Sequence, residues 1–469
     1  MEHEFDVVVV GAGPAGEVAA GRLATRGGRR VAIVERDLVG GECSFYACMP
    51  SKALLRPAEI LNEVRRVPGA AEAVAGSLDV EAAFARRDEV IHDLDDASQL
   101  PWLEDRGIEL FRGSARLDGV RRVVVGEDVL VARDAVVLAT GSTAAMPPIP
   151  GLAEADAWSN REITTATSVP RRLTILGGGV VGVEMAQAWA SFGSKVTVIE
   201  ALDSLLVNEE PFVGQEVGQA LSELGVEQRF GAKAVSVSVP VGRERPEITV
   251  GLEDGSAVVG DRLLVAVGRR PLSTGIGLES VGLRDGGFVE VDDCLQVPGL
   301  PWLYAVGDVN GRSLLTHAGK YQARIAADRI LGSSTARAVG DGRGSPRVVF
   351  SDPEVAAVGM TLAAALEAGV AALAVDLPTG TSAGASFVGH GAPGTSRFVV
   401  DTARQVLVGV TFVGPGVNDF LQAASVAVAA EVPLSKLAHA VAPFPTRSEL
   451  WPAFLEEYER QAGVSVYSG

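Results

Sequence analysis

The chain carries one local design twice, and that repeat constrains its fold more than any other feature. Residues 5–16, FDVVVVGAGPAG, run an apolar strand into a glycine turn, and residues 173–182, LTILGGGVVG, do so again. A helical stretch and a second strand follow each copy. The second strands end in acid: VAIVER places Glu35 and KVTVIE places Glu200. A strand, a glycine turn, a helix and a carboxylate about 20 residues further on make a dinucleotide-binding fingerprint. One G-x-G-x-x-G alone is a weak signal; two, each with its strand and its acid, are a strong one. Gly11, Gly13 and Gly16 with Glu35, and Gly177, Gly179 and Gly182 with Glu200, are therefore the candidate cofactor residues. The glycines let backbone N–H groups approach a pyrophosphate, whose charge the helix N-terminus favours. Each carboxylate is placed for ribose hydroxyls. Two dinucleotides in one chain suggest an electron relay from an exchangeable nicotinamide to a tightly held flavin.

At 469 residues, about three domains are expected. Further strand-like runs end in small residues: AVVLATGS at 135–142, LLVAVGRRP at 263–271 and WLYAVGDV at 302–309. Residues 51–100 read mostly as helix, and prolines at 147–150 mark a boundary. Beyond about 345, RFVVD, QVLVGVTFVG and an Ala-rich run at 421–431 read as an α+β module.

The formal net charge of −18 argues against nucleic acid, which needs clustered Lys and Arg, and against an anionic membrane surface. No apolar run reaches the ~18 residues of a membrane span. The acidic start (Glu2, Glu4) enters a strand at once and has no basic, then apolar, leader. With three cysteines in all, the chain is expected in the cytoplasm, where a lasting disulfide is usually catalytic. No residue group is singled out as a metal site.

Two of those cysteines, Cys43 and Cys48, stand in the segment GGECSFYACMPSK, Gly40 to Lys52. Their placement behind the first fingerprint suggests redox chemistry; the other reading is a pair of buried free thiols. In a regular helix, residues five apart lie about 140° round the axis. Their Cα atoms are then too distant for the roughly 4.4–6.8 Å of a disulfide. A Cys43–Cys48 bond requires an irregular turn, which Pro50 and the preceding glycines fit. Cys294, in VDDCLQV, reads as a packing residue.

Glu200 also bears on which nicotinamide binds. A 2′-phosphate there would face a carboxylate, a repulsion of up to about 4 kcal/mol at ~4 Å and an effective dielectric of ~20. Residues 201–206, ALDSLL, offer no arginine to receive that phosphate. NADH is the expected donor.

With the two fingerprints, the C-x4-C-x-P-S-K segment, ATGS at 139–142, YAVGD at 304–308, SDPEVAAVG at 351–359 and VGPG at 413–416, the chain resembles the pyridine nucleotide–disulfide oxidoreductases. Dihydrolipoamide dehydrogenase and mercuric reductase belong to that family. The resemblance implies an α/β chain with two Rossmann-like domains and a C-terminal α+β domain that forms a homodimer. The FAD domain would span 1–150, the NAD(H) domain 151–270, a central segment completing the FAD domain 271–345, and the interface domain 346–469. It further implies that Thr140, Gly141, Gly268, Asp308, Thr316 and His317 bind cofactor, Asp308 at the ribityl chain and Thr316–His317 at the start of a helix aimed at the flavin ring. Lys52 and Glu184 would pair beside the flavin N5. Cys48 would lie against the flavin and Cys43 would face substrate.

The chain departs from the family at two places. The family's reductases carry His-Pro-x-x-x-Glu near the C-terminus, supplied across the dimer, in which the His handles the thiol proton. Here the segment is PFPTRSELW: Glu449 is kept and Phe444 stands at the His position. His439, five residues earlier, is the nearest imidazole in sequence; it reads as an ordinary core or solvated residue, with a substitute base as the lesser alternative. His92 and His390 read as surface residues, and His3, ahead of the first strand, as frayed. A positioned base contributes typically 10²–10⁴-fold, or about 3–5 kcal/mol. Efficient lipoamide or glutathione turnover is therefore not expected, whereas flavin reduction by NADH needs no such base. In the redox segment, Glu42, Phe45 and Ala47 replace the family's Thr, Asn and Gly. Phe45 and Tyr46, with Phe444, are expected to line an apolar pocket. The resulting expectation is an FAD- and NADH-dependent oxidoreductase passing electrons, through the Cys43–Cys48 pair or directly, to a small-molecule acceptor such as a quinone. The alternatives are a disulfide reductase with another base and a non-enzymatic flavoprotein.

Overall fold

Four successive valines, Val7–Val10, leave no polar face, and such a strand belongs inside a parallel sheet covered on both sides. In the computed structural model, which describes residues 1–239, 247–341 and 344–467, strand Glu2–Val10 lies between Asp128–Leu138 and Val31–Glu35, parallel to both. Glu109–Arg112 extends the sheet at one side and Leu300–Ala305 at the other. Side chains alternate as the two-residue period requires. Val7 and Val9 pack with Leu23, Ala323 and Ala326 of helices Pro14–Gly27 and Thr316–Ile330, and Val8 and Val10 pack with Val123, Leu303 and Trp302.

The described residues form two compact units. Met1–Pro50, Arg86–Ala145 and 269–341 make the first, so residues far apart in sequence complete one sheet through the pairing of Leu303 with Val136. Ser51–Ala85, Met146–Gly268 and 344–467 make the second. Its parallel sheet runs Glu227–Arg229, Lys195–Ile199, Arg172–Leu176, Arg262–Val265. Residues 51–85 belong to this unit because Leu54, Leu55 and Phe84 share a core with Trp189 and Val198. The C-terminal part is a five-stranded antiparallel sheet, Arg347–Val349, Glu354–Gly359, Val406–Gly414, Thr395–Asp401 and Ala372–Pro378 in spatial order. Phe398 stacks on Phe454 of helix Leu450–Ala462 at 4.2 Å beneath it. No helix among the described residues is long and apolar enough to cross a membrane.

One stretch differs from its sequence reading. The run at 263–271 is not one strand: Arg262–Val265 stops, Gly268 adopts φ 132°, and Arg269–Pro271 starts a separate antiparallel pair with Ser142–Ala144. Residues 51–100 are mostly helical as read, in helices Cys48–Arg66 and Val80–Val90 with short turns of helix such as Ala71–Ala73 beside them, and Pro68, Gly69 and Gly76 lie in the interruption.

Trp189 is fully buried against Phe84, Trp158 and Phe192. Truncation of such a ring costs about 3–5 kcal/mol. Trp189→Ala is expected to lower the melting temperature by several degrees, read by circular dichroism; an unchanged melting temperature contradicts this account of the core.

Candidate active site

The two glycine turns are built alike, atom for atom. Gly11 has φ 103° and Gly177 has φ 105°. A Cβ on Gly11 would lie 2.4 Å from the carbonyl oxygen of Ala139, and one on Gly177 would lie 2.4 Å from that of Ala266. Helices Pro14–Gly27 and Val180–Ser191 start behind Gly13 and Gly179 with no side chain capping their first N–H groups. At Gly179 the space around a notional Cβ is open to 4 Å, and at Gly13 the nearest atom is 4.0 Å away. Each acid closes its own loop: Glu35 accepts from the N–H groups of Ala12 and Asp37, each at 2.8 Å, and Glu200 accepts from Gly178 at 2.6 Å and Leu202 at 2.8 Å. Each carboxylate oxygen keeps a second lone pair. Uncapped helix N-termini behind open glycines have the form of an anion cradle.

The cysteine segment is broken where a close thiol pair needs it to be. A short helix, Gly41–Phe45, stops at Tyr46 (φ −133°), and a second begins at Cys48. Gly40 (φ 112°) and Gly41 (φ 60°) launch the first, and a Cβ on Gly41 would stand 2.8 Å from the Cα of Gly13. The segment thus lies directly on the first glycine turn. Cys43 and Cys48 are thiols hydrogen-bonded to each other, and Cys48 Sγ lies 3.4 Å from Thr316 Oγ1 at the start of helix Thr316–Ile330. The Cys48 hydrogen bond, and then burial, push the Cys43 thiol well above its ordinary value; Thr316 and the charge of Lys320 pull it down. Phe45 does not line an open pocket, contrary to expectation: it is 1% exposed, its apolar ring turned into the unit against Gly40.

Around Asp308 a polar cluster forms that the sequence did not single out. Ser142 Oγ donates to Asp308, Arg269 Nε donates to Ser142 Oγ at 2.6 Å, and the same guanidinium lies 3.7 Å from both Asp308 and Glu42. Burial raises the Asp308 carboxyl above its ordinary range. Thr140 Oγ1, between this cluster and Gly11, is buried without a partner among the described residues, and a notional Cβ at Gly141 meets nothing within 4 Å. The same openness holds at Gly268. His317, next to Thr316, is exposed. An orphaned hydroxyl, an open glycine turn, an uncapped helix and a hydrogen-bonding aspartate are what a flavin dinucleotide would engage, and the residues present fit one.

In the second unit, Lys52 Nζ donates to both oxygens of Glu184, at 3.0 and 2.8 Å, and stands 4.7 Å over the ring of Phe350. Glu184, only 3% exposed, also accepts from the Phe350 N–H at 3.1 Å. The C-terminal segment lies in this unit too. Glu449 Oε2 accepts from the Gly384 N–H at 3.4 Å, tying the segment to the turn Ala383–Val388. The ring of Phe444 is 77% exposed. His439 stacks edge-on against Tyr467 at 5.8 Å.

Sequence reasoning passed over Glu17 and Lys320. Glu17, in the first turn of the first glycine-turn helix, has its carboxyl raised to about 7, chiefly by burial, against the lowering influence of Lys320. A carboxylate inside an otherwise Ala- and Gly-rich helix start was the available signal.

Residues 5–323 match the family described as pyridine nucleotide-disulphide oxidoreductase, and residues 345–453 match its dimerisation domain. The chain is 33% identical to a dihydrolipoyl dehydrogenase of Thermus scotoductus, covering 98% of each. It is 30% identical to a mercuric reductase of Acidithiobacillus ferrooxidans, over 95% of this chain and 81% of the relative. Among solved structures it resembles the Cu(II) complex of the flavoprotein disulfide reductase RclA from Escherichia coli, with TM-score 0.84 and 26% identity, over 96% of this chain and 99% of that one.

The Glu17 carboxyl yields a pH test. Raised from 4.5 to about 7, it holds a proton in the fold that the unfolded chain releases, so its contribution to stability falls as pH rises through that window. Glu17→Gln removes this dependence. Its melting temperature relative to wild type is expected to be higher at pH 8 than at pH 5; a constant difference contradicts the assignment.

Proposed function

The chain belongs to the pyridine nucleotide-disulphide oxidoreductases, enzymes that work with FAD and a nicotinamide dinucleotide, and on that premise we propose that it is a homodimeric, cytoplasmic NADH oxidoreductase whose electrons leave to a diffusible acceptor such as a quinone. The observation that carries this reading is the C-terminal segment. Residues 443–449 hold no imidazole, Phe444 presents an exposed apolar ring, and Glu449 Oε2 accepts from the Gly384 N–H at 3.4 Å. A substrate disulfide needs a proton donor and acceptor there; a quinone draws its protons from water.

The flavin, when bound, supplies two-electron transfer between nicotinamide and thiols. The first glycine turn, Gly11, Gly13, Gly16 with Glu35, would hold it, with Thr140, Gly141, Asp308, Thr316 and His317 along its length. The second, Gly177, Gly179, Gly182 with Glu200, would hold NADH. Glu200 is fixed by two backbone N–H groups, so it cannot swing away from a 2′-phosphate. Lys52, held by Glu184 and the Phe350 ring, is the residue that would stand beside the flavin N5 when the cofactor is bound. Thr316 steadies the Cys48 sulfur by its hydroxyl.

A second reading has support of its own. RclA's structure contains Cu(II), and a mercuric reductase is among the relatives. Two adjacent thiols are a soft donor pair. No group of three or more His, Cys, Asp or Glu among the described residues could hold a resident metal, so a metal ion would enter as substrate. A disulfide reductase running without the usual base is the competing case.

Steady-state NADH oxidation separates these. With purified enzyme, a naphthoquinone is expected to turn over at least tenfold faster than lipoamide, and Phe444→His is expected to leave lipoamide turnover unimproved. Faster lipoamide reduction, or a gain of about 10² or more on Phe444→His, the size of a restored base, contradicts the proposal.

A further inference from the structure

We propose that Lys320 is a positioning residue that stabilises the thiolate of the Cys43–Cys48 pair, supplying the fixed positive charge that an imidazolium would otherwise bring. The inference rests on the reading that the two cysteines cycle as a redox pair.

Three observations carry it. Thr316 Oγ1 lies 3.4 Å from Cys48 Sγ, which fixes the start of helix Thr316–Ile330 against the thiols. Lys320 follows Thr316 by four residues, and side chains so spaced share one helix face. The helix begins at Leu315 with no side-chain cap, so its positive end reinforces the same sign of charge. In keeping with that placement, the positive charge of Lys320 lowers the titration of Cys43 and of Glu17 on helix Pro14–Gly27.

Charged groups on the elements around the thiols, among the described residues, come from several helices. Helix Cys48–Arg66 carries Lys52 four residues after Cys48, where both its hydrogen bonds go to the Glu184 carboxylate. Helix Pro14–Gly27 contributes Glu17, with Glu35 of the next strand behind it. Glu42, beside Cys43, is turned to Arg269. Helix Thr316–Ile330 contributes Lys320 and Thr316, with His317 exposed beside them. Lys320 is the cation and Glu17 its counterweight. When Glu17 is neutral, the ammonium acts on the thiols undiminished; when Glu17 ionises, it offsets that field. An ammonium group stabilises a neighbouring thiolate by its charge, whereas the missing imidazole would also have shuttled the proton. That division matches an enzyme that stores electrons in a thiol pair and gives them to an acceptor needing no thiol transfer.

The test is thiol alkylation of the holoenzyme across pH 5–9 with iodoacetamide, after reduction with dithiothreitol, read peptide by peptide so that Cys294 does not interfere. Lys320→Met is expected to move the Cys43 and Cys48 profiles up by about one pH unit, a tenfold drop in thiolate at a given pH. Lys320→Arg is expected to keep the wild-type profile and Glu17→Gln to move it down. A Lys320→Met profile superimposing on wild type, or a Lys320→Arg profile displaced as far as Lys320→Met, overturns the proposal. The same alkylation without reductant tests the underlying reading separately: protection of both cysteines supports a redox pair. Full labelling sinks that reading, while the pH profiles still decide Lys320.

Discussion

Backbone crowding at the glycine turns is the constraint on which the rest depends. A methyl group on Gly16 would sit 1.9 Å from the carbonyl oxygen of Gly11, and one on Gly182 would sit 1.9 Å from that of Gly177. Strand, turn and helix can approach so closely only without side chains. That approach aims each helix N-terminus at the space above its sheet. In the first unit it also seats the cysteine segment, because Gly41 rests on Gly13. The anion cradle and the thiols are therefore one construction: displacing the turn would displace both.

Charge is the second theme. Acidic groups recur where negative cofactors are expected to bind: Glu17, Glu35, Glu42 and Asp308 in the first unit, Glu184 and Glu200 in the second. Each is kept by a specific partner. Glu35 and Glu200 are held by backbone N–H groups, Glu184 by Lys52, Glu42 by Arg269, and Asp308 by Ser142. At Glu17 the charge of Lys320 opposes burial without offsetting it, and Glu17 is the one of the six whose carboxyl rises to about 7. Glu354 in the C-terminal sheet behaves likewise, raised to about 7 mainly by burial.

Much of this was legible in the sequence because it rests on local rules. The Val7–Val10 run, the two glycine turns and the acids after them depend on residues within about thirty positions. A break between Cys43 and Cys48 was legible only as the condition for bonding the two, because a regular helix holds their Cα atoms too far apart. What stayed hidden depends on chain segments meeting from far apart. Nothing near Ser142 announces that Arg269 will bond it, 127 residues on. Thr316 reads as a helix start, and only the fold brings its hydroxyl to Cys48, 268 residues away. Phe45 looked available because aromatic residues in a redox segment suggest a pocket, but its burial is decided by packing around Gly40. The run at 263–271 looked continuous because hydropathy does not register the positive φ at Gly268.

The central claim is that Cys43 and Cys48 form an electron store coupled to the flavin even though the C-terminal segment offers no imidazole. Anaerobic titration of the holoenzyme with dithionite, followed by absorbance, tests it most directly. The account predicts uptake of four electrons per FAD, with a long-wavelength thiolate-to-flavin band at the half-way point. Uptake of two electrons with no such band would show the cysteines to be spectators and contradict it.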